Sequence, residues 1–194
     1  MKKAKTSLLD GKKLLLSILY SPGKTQHFNE RIEGKTRLTK MVFLFEKEIQ
    51  KKFINNEIEL YEFEPYHYGP FSRQLLSDLE FFISIGFIME VDTDIPIKYN
   101  ENDDSYTEED DDSNKEDKDN DSFEKSYFLS KMGEKYVSEN IWPFYSNNQI
   151  NTLMTFKQKI NSISLDSLLR YVYNTYPNMA AKSTIAGRYL EEEE

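Results

Sequence analysis

Residue types able to do chemistry are sparse in this chain, and most of their arrangements fail on spacing. Gly23-Lys24-Thr25 and Gly34-Lys35-Thr36 both match the end of a phosphate-binding loop. That loop needs another glycine five positions earlier, where Ile18 and Asn29 stand. The two histidines, His27 and His67, are far apart in sequence, and the chain has no cysteine. This argues against a histidine metal site and excludes a thiolate site, a disulfide framework and a cysteine nucleophile. Asp110-x-Asp112-x-Asn114 imitates the first ligands of a calcium loop, but Lys115 replaces the turn glycine and Asp121 the bidentate glutamate. No Gly-x-Ser-x-Gly elbow occurs. We therefore expect no enzyme activity, no cofactor and no metal.

What remains points to recognition. In Tyr66-x-Tyr68-Gly69-Pro70, two aromatics beside a helix start can stack on a base or face an anion. Burial tendencies favour the plainer reading, in which the tyrosines pack in the core and Gly-Pro sets the turn. Arg37 and Lys40 lie about one helical turn apart and suit phosphates, or else form a solvated face with ion pairs to Glu33 or Glu46. Arg73, Gln74 and Ser77 fall on the polar side of a third helix, and the first two suit guanine and adenine edges.

Periodicity supplies the elements that must position these residues. Leu8–Tyr20 reads as a first helix stopped by Ser21-Pro22-Gly23, and Arg37–Phe53 as a second, capped by Thr36, with Leu38, Met41, Val42, Phe45 and Ile49 on one face. Ile58–Phe63 alternates as a strand. Pro70 reads as the first position of the third helix, whose buried stripe includes Leu75, Leu79 and Phe82 and which Gly86 ends. Strands follow at Phe87–Val91 and Phe123–Leu129, joined by an acidic loop, and then helices at Ile141–Ile163 and Leu165–Tyr176, the last ended by Pro177. The outline is mainly α with a small β-hairpin wing: a winged helix-turn-helix over residues 1–142, with helices at 143–190 packed on the same core.

The net charge of −9 is concentrated: residues 101–121 carry −10 and the four terminal glutamates −4, which leaves the remainder at +5. The segment 100–122 has no apolar periodicity, so a disordered wing tip is expected. Ten negative charges on a wing oppose duplex DNA, whose affinity depends on neutralising phosphates, and Asp78 and Glu80 on the third helix add to this. The basic N-terminus lacks a continuous apolar stretch, and no span reaches membrane length. A cytoplasmic chain with no membrane partner is expected.

The stretches Gly34-x-x-Arg37-Leu38-x-Lys40-x-x-Phe43-Leu44, Pro65-Tyr66-x-Tyr68-Gly69-Pro70-Phe71-Ser72, and Tyr176-Pro177 followed by Ala181-Lys182-Ser183 resemble the YwgA-like family of uncharacterised prokaryotic proteins. The Tyr-Gly-Pro element is also similar to Panacea-type (SocA-like) antitoxin domains. The first resemblance implies no established activity; the second implies a protein that neutralises a partner toxin. The acidic insertion departs from both patterns. The expectation is a regulatory module, antitoxin-like or concerned with antiphage defence, that binds a partner protein such as a toxin or defence effector and is compatible with a homodimer. The alternative is a DNA-binding transcriptional regulator. The residues assigned to nucleic acid or partner are Arg37, Lys40, Tyr66, Tyr68, Arg73, Gln74 and Ser77.

Overall fold

Side-chain oxygens that accept from otherwise free amides open most of the helices. In the computed structural model, which describes residues 9–54, 60–96 and 123–190, Asp10 accepts from the Lys13 amide at 2.8 Å and starts α1 (Gly11–Tyr20). Ser72 caps α4 (Arg73–Ser84), Ser130 caps α5 (Lys131–Asn140) and Ser164 caps α7 (Leu165–Thr175). Ser146 and Gln149 form a reciprocal capping box on α6 (Asn147–Ser162). These caps revise two expected starts. Gly34, not Thr36, stands at the N-cap of α2 (Lys35–Leu44). Ser72, not Pro70, begins the third helix of the expected scheme, because a hydroxyl there takes the Leu75 amide.

The helix expected over residues 37–53 is one path with an interruption. α2 passes into a π turn, Phe45–Ile49, before α3 (Gln50–Ile54). The helix expected at Ile141–Ile163 is divided, since Trp142–Phe144 forms a 3₁₀ turn around Pro143 and α6 restarts at the Ser146 cap. Pro177 opens the short α8 (Pro177–Ala180) rather than merely ending α7, as its fixed φ allows.

The strands form two antiparallel sheets. β1 (Ile32–Glu33), β4 (Ile88–Pro96) and β5 (Phe123–Leu129) take the order β1-β5-β4, with Ile32 opposite Tyr127 and Ile88 opposite Leu129. The Asn29 side chain extends β5 by exchanging two hydrogen bonds with the Leu129 backbone, at 2.8 and 2.7 Å. β2 (Glu64–Tyr66) and β3 (Gly69–Phe71) make a separate hairpin. Residues 60–63 of the strand expected at 58–63 are a loop, and 58–59 lie outside the described residues. Leu60 and Tyr61 are buried in succession, and both amides donate to the Glu46 carboxylate, at 3.2 and 3.0 Å, instead of to a neighbouring strand. Gly86, at φ +73°, ends the α4 segment where the left-handed region is needed. The wing tip expected at 100–122 also lies outside the described residues.

The architecture is therefore mostly helical with a small antiparallel sheet, of the α+β class. Among the described residues no helix is long and apolar enough to cross a membrane. One apolar core joins α1, α2, β5, α6 and α7 through residues such as Leu15, Phe43, Tyr127, Phe156 and Tyr173.

Three cations run through this core, each with its charged end on backbone carbonyls. Lys157 on α6 is fully buried, and its Nζ donates to the carbonyls of Leu19, Ser21 and Glu30 at 2.8, 2.7 and 2.8 Å. An ammonium has three donors and no acceptor, so this cradle matches its charged form. Burial pushes its pKa down to about 7, and the nearby Glu30 charge acts in the opposite sense. Arg37 donates to the carbonyls of Ile160 and Ile163, both at 2.8 Å, where α6 ends and carbonyls lack helical partners. Lys40 donates to the Pro70 carbonyl at 3.0 Å, and burial lowers its pKa to about 7 as well.

Replacing Lys157 with methionine keeps the aliphatic stem but strands three carbonyls, each of which costs about 1–3 kcal/mol when left unsatisfied. Urea denaturation of Lys157→Met should show a loss of about 3 kcal/mol or more. A loss under about 1 kcal/mol would mean that the cradle is not a structural link.

Candidate nucleic-acid or protein interface

The Tyr66–Phe71 stretch is a tight hairpin, not a helix start. Gly69 sits at φ +84°, and a Cβ there would lie 2.5 Å from Cε1 of Tyr173, so both conformation and close approach require glycine. Lys40 holds the Pro70 carbonyl from α2. From the C-terminal side, the Thr184 amide and the Ser183 hydroxyl donate to the His67 carbonyl, at 3.1 and 3.0 Å. The Tyr173 and Ser183 hydroxyls share a hydrogen bond of 2.9 Å. Three separate segments thus pin the hairpin, and its two tyrosines point outward: Tyr66 is 42% and Tyr68 55% exposed. This corrects the expectation that they pack in the core. It is Tyr173, from α7, that fills the space under Gly69, and Tyr66 packs sideways on His67 and Phe71.

Arg37 and Lys40 are corrected in the opposite direction. Neither forms a solvated face or reaches a phosphate, because both are buried with their charged ends on backbone carbonyls. On α4, Arg73, Gln74 and Ser77 are exposed, and Arg73 lies 3.8 Å from Glu64 across open surface. Ser72, the cap, is buried. Asp78 also departs from the expected phosphate-facing position. It is nearly buried, accepts from the Tyr61 hydroxyl at 3.1 Å and pairs with Lys12 at 3.6 Å. Desolvation, then the Asp78 charge, raises the Tyr61 pKa and keeps that phenol protonated.

The structure brings together a group that sequence reasoning did not assign. A groove of about 490 Å³ runs between the start of α1, α4 and α5, with Leu16, Phe81, Phe82, Phe87, Tyr136 and Ile141 among its walls. Phe82 stacks on Phe87 at 6.0 Å, and Phe87 meets Tyr136 at 5.2 Å. The Lys12 ammonium lies over the Phe81 ring, 5.0 Å from its centroid. Phe81, Ile85, Met132 and Tyr136 are all exposed, Phe81 by 47% and Met132 by 51%. Their signal was in the sequence: Phe81 and Ile85 are four apart on the side of α4 otherwise occupied by polar residues. Lys157 had a signal too, since it interrupts the stripe of Leu153, Phe156 and Ile160.

Among the described residues no group of three or more histidine, aspartate or glutamate side chains converges as a metal site would. A scan of family models, a search of curated proteins and a search of solved structures each returned no match to this chain.

The hairpin geometry separates two substitutions one residue apart. Gly69→Ala should destabilise by about 2 kcal/mol or more, through overpacking against Tyr173 and the positive φ. Tyr68→Ala should stay within about 0.5 kcal/mol, as an exposed side chain does. Thermal and urea unfolding of both variants check this, and the reverse ranking would contradict the outward placement of Tyr68.

Proposed function

We propose that this protein is a non-enzymatic regulatory module of winged-helix type, antitoxin-like or defence-associated, that acts by binding a partner protein. The sheet order β1-β5-β4, with α1 before β1 and with α2 and α4 between β1 and β4, supports the winged-helix reading. The β2–β3 hairpin is then an addition between the second and third helices of that scheme.

The observation that carries the protein-binding reading is the exposed apolar groove at α4. A helix that reads DNA turns polar and basic side chains toward bases and phosphates. Here Phe81 on α4 and Ile85 at its C-cap are exposed along with Glu80, while Arg37 and Lys40 are consumed inside. Aromatic side chains around a concavity, here Phe81, Phe82, Phe87 and Tyr136, are what protein interfaces concentrate at their centres. The alternative, a DNA-binding regulator, draws on Arg73, Gln74 and Ser77, which are all exposed in the first half of α4.

One pair of experiments decides between them. Affinity capture with the intact chain should recover a stoichiometric protein partner, cross-linked through a photoreactive residue placed at Ile85 and weakened at least about tenfold by Phe81→Glu. Selection from a random duplex pool should enrich no site. Enrichment of a defined sequence at nanomolar affinity, lost in Arg73→Ala, would replace this reading with the regulator.

A further inference from the structure

A second cavity has no part in that reading and shares no lining residue with the groove. It measures about 530 Å³ and lies between the π turn, α6 and the start of α7, inside the range of roughly 300–1,000 Å³ typical of small-molecule sites. Leu44, Ile49, Phe156, Ile160 and Ile163 give it apolar walls, and Thr152, Thr155 and Ser167 add hydroxyls. π turns interrupt helices at a cost in hydrogen bonding and occur frequently at functional sites. This one carries Glu48, which faces the same cavity.

The charges around the cavity are unequal in their engagement. The Glu48 carboxylate is already taken, accepting from the hydroxyls of Tyr171 at 2.8 Å and Tyr176 at 3.1 Å. The two lysines of the lining are not matched in this way. Neither Lys52 nor Lys159 forms an ion pair with an acid among the described residues. Lys159 lies over the Tyr171 ring, 5.8 Å from its centroid. The phenols leave the Glu48 charge in place, so the lining holds two cations against one anion, and one further negative charge would balance it. The cavity lining contains no arginine fork, the group that favours bidentate phosphate recognition. Two lysines in a lining with apolar walls suit a single carboxylate on a hydrocarbon body.

We infer that this cavity binds a small aliphatic monocarboxylate, with its chain against Ile49, Phe156 and Ile160 and its carboxylate on Lys52 and Lys159. The site would make the protein responsive to a free medium-chain acid, independently of what the groove at α4 engages.

Decanoate is the probe, titrated into the intact chain at neutral pH by calorimetry and by amide chemical-shift mapping, with decanol as the uncharged control. Decanoate should bind with a dissociation constant on the order of 100 µM, and its shifts should fall on residues 44–52 and 151–171. Decanol should bind at least about tenfold more weakly, and the double variant Lys52→Gln/Lys159→Gln should lose about tenfold for decanoate but little for decanol. Thr155→Trp, at an exposed position in the lining, should abolish binding of both while leaving the unfolding midpoint near that of the parent. Equal affinity for acid and alcohol, an unchanged double variant, shifts centred on α4 and α5, or no binding up to about 5 mM would each overturn the inference.

Discussion

Three carbonyls gathered on one ammonium determine how the helices of this protein meet. Leu19 and Ser21 present carbonyls at the end of α1, where the helix has no further amides to offer, and Glu30 presents a third from the loop before β1. Lys157 reaches all of them from α6. Taking a charge out of water costs several kcal/mol, which the nearby Glu30 charge opposes only in part. Only a full set of hydrogen bonds makes the position tenable. The same device recurs where Arg37 closes the end of α6 and where Lys40 holds the hairpin at Pro70. Each cation ends one element and ties it to another.

That use of positive charge shapes what is left for recognition. The body of the chain is mildly basic by composition, yet three of its cations are internal struts. The surface around α4 is instead a groove walled by aromatics, with Lys12 shared between Asp78 and Phe81. The hairpin bearing Tyr66 and Tyr68 is pinned from α2, α7 and the C-terminal segment, so the backbone that carries its exposed aromatics has little freedom left to lose on binding. A partner that buries apolar side chains fits this surface better than a phosphate backbone does.

Much of the fold was legible because apolar periodicity is read locally. The α4 stripe, the Gly86 stop, strand β5 and helix α7 follow from spacing alone. What the sequence concealed depends on partners distant in the chain. Nothing near Gly69 announces that Tyr173, more than a hundred residues on, occupies the space a Cβ would need. Likewise, Arg37 and Lys40 look like solvent-facing cations until the carbonyls of Ile160, Ile163 and Pro70 are placed beside them. Their spacing in α2 was informative about which face they share, but not about whether that face meets water. Lys157 and the Phe81–Ile85 pair did carry local signals, each as a residue of the wrong polarity on its helical face.

The claim on which the rest depends is that Lys40 and Lys157 are internal and leave the surface to the aromatics. Native-state amine labelling reads it directly: reductive dimethylation of the intact chain, followed residue by residue by mass spectrometry. Their lowered pKa values would make both amines more reactive if they were reachable, so slow labelling reports burial rather than charge. Lys52 and Lys159 should react at the rate of free lysines. Lys40 and Lys157 should lag by at least about a thousandfold, at a rate that rises with urea in step with global unfolding. Labelling of Lys157 within about tenfold of Lys52 in the absence of denaturant would contradict the account.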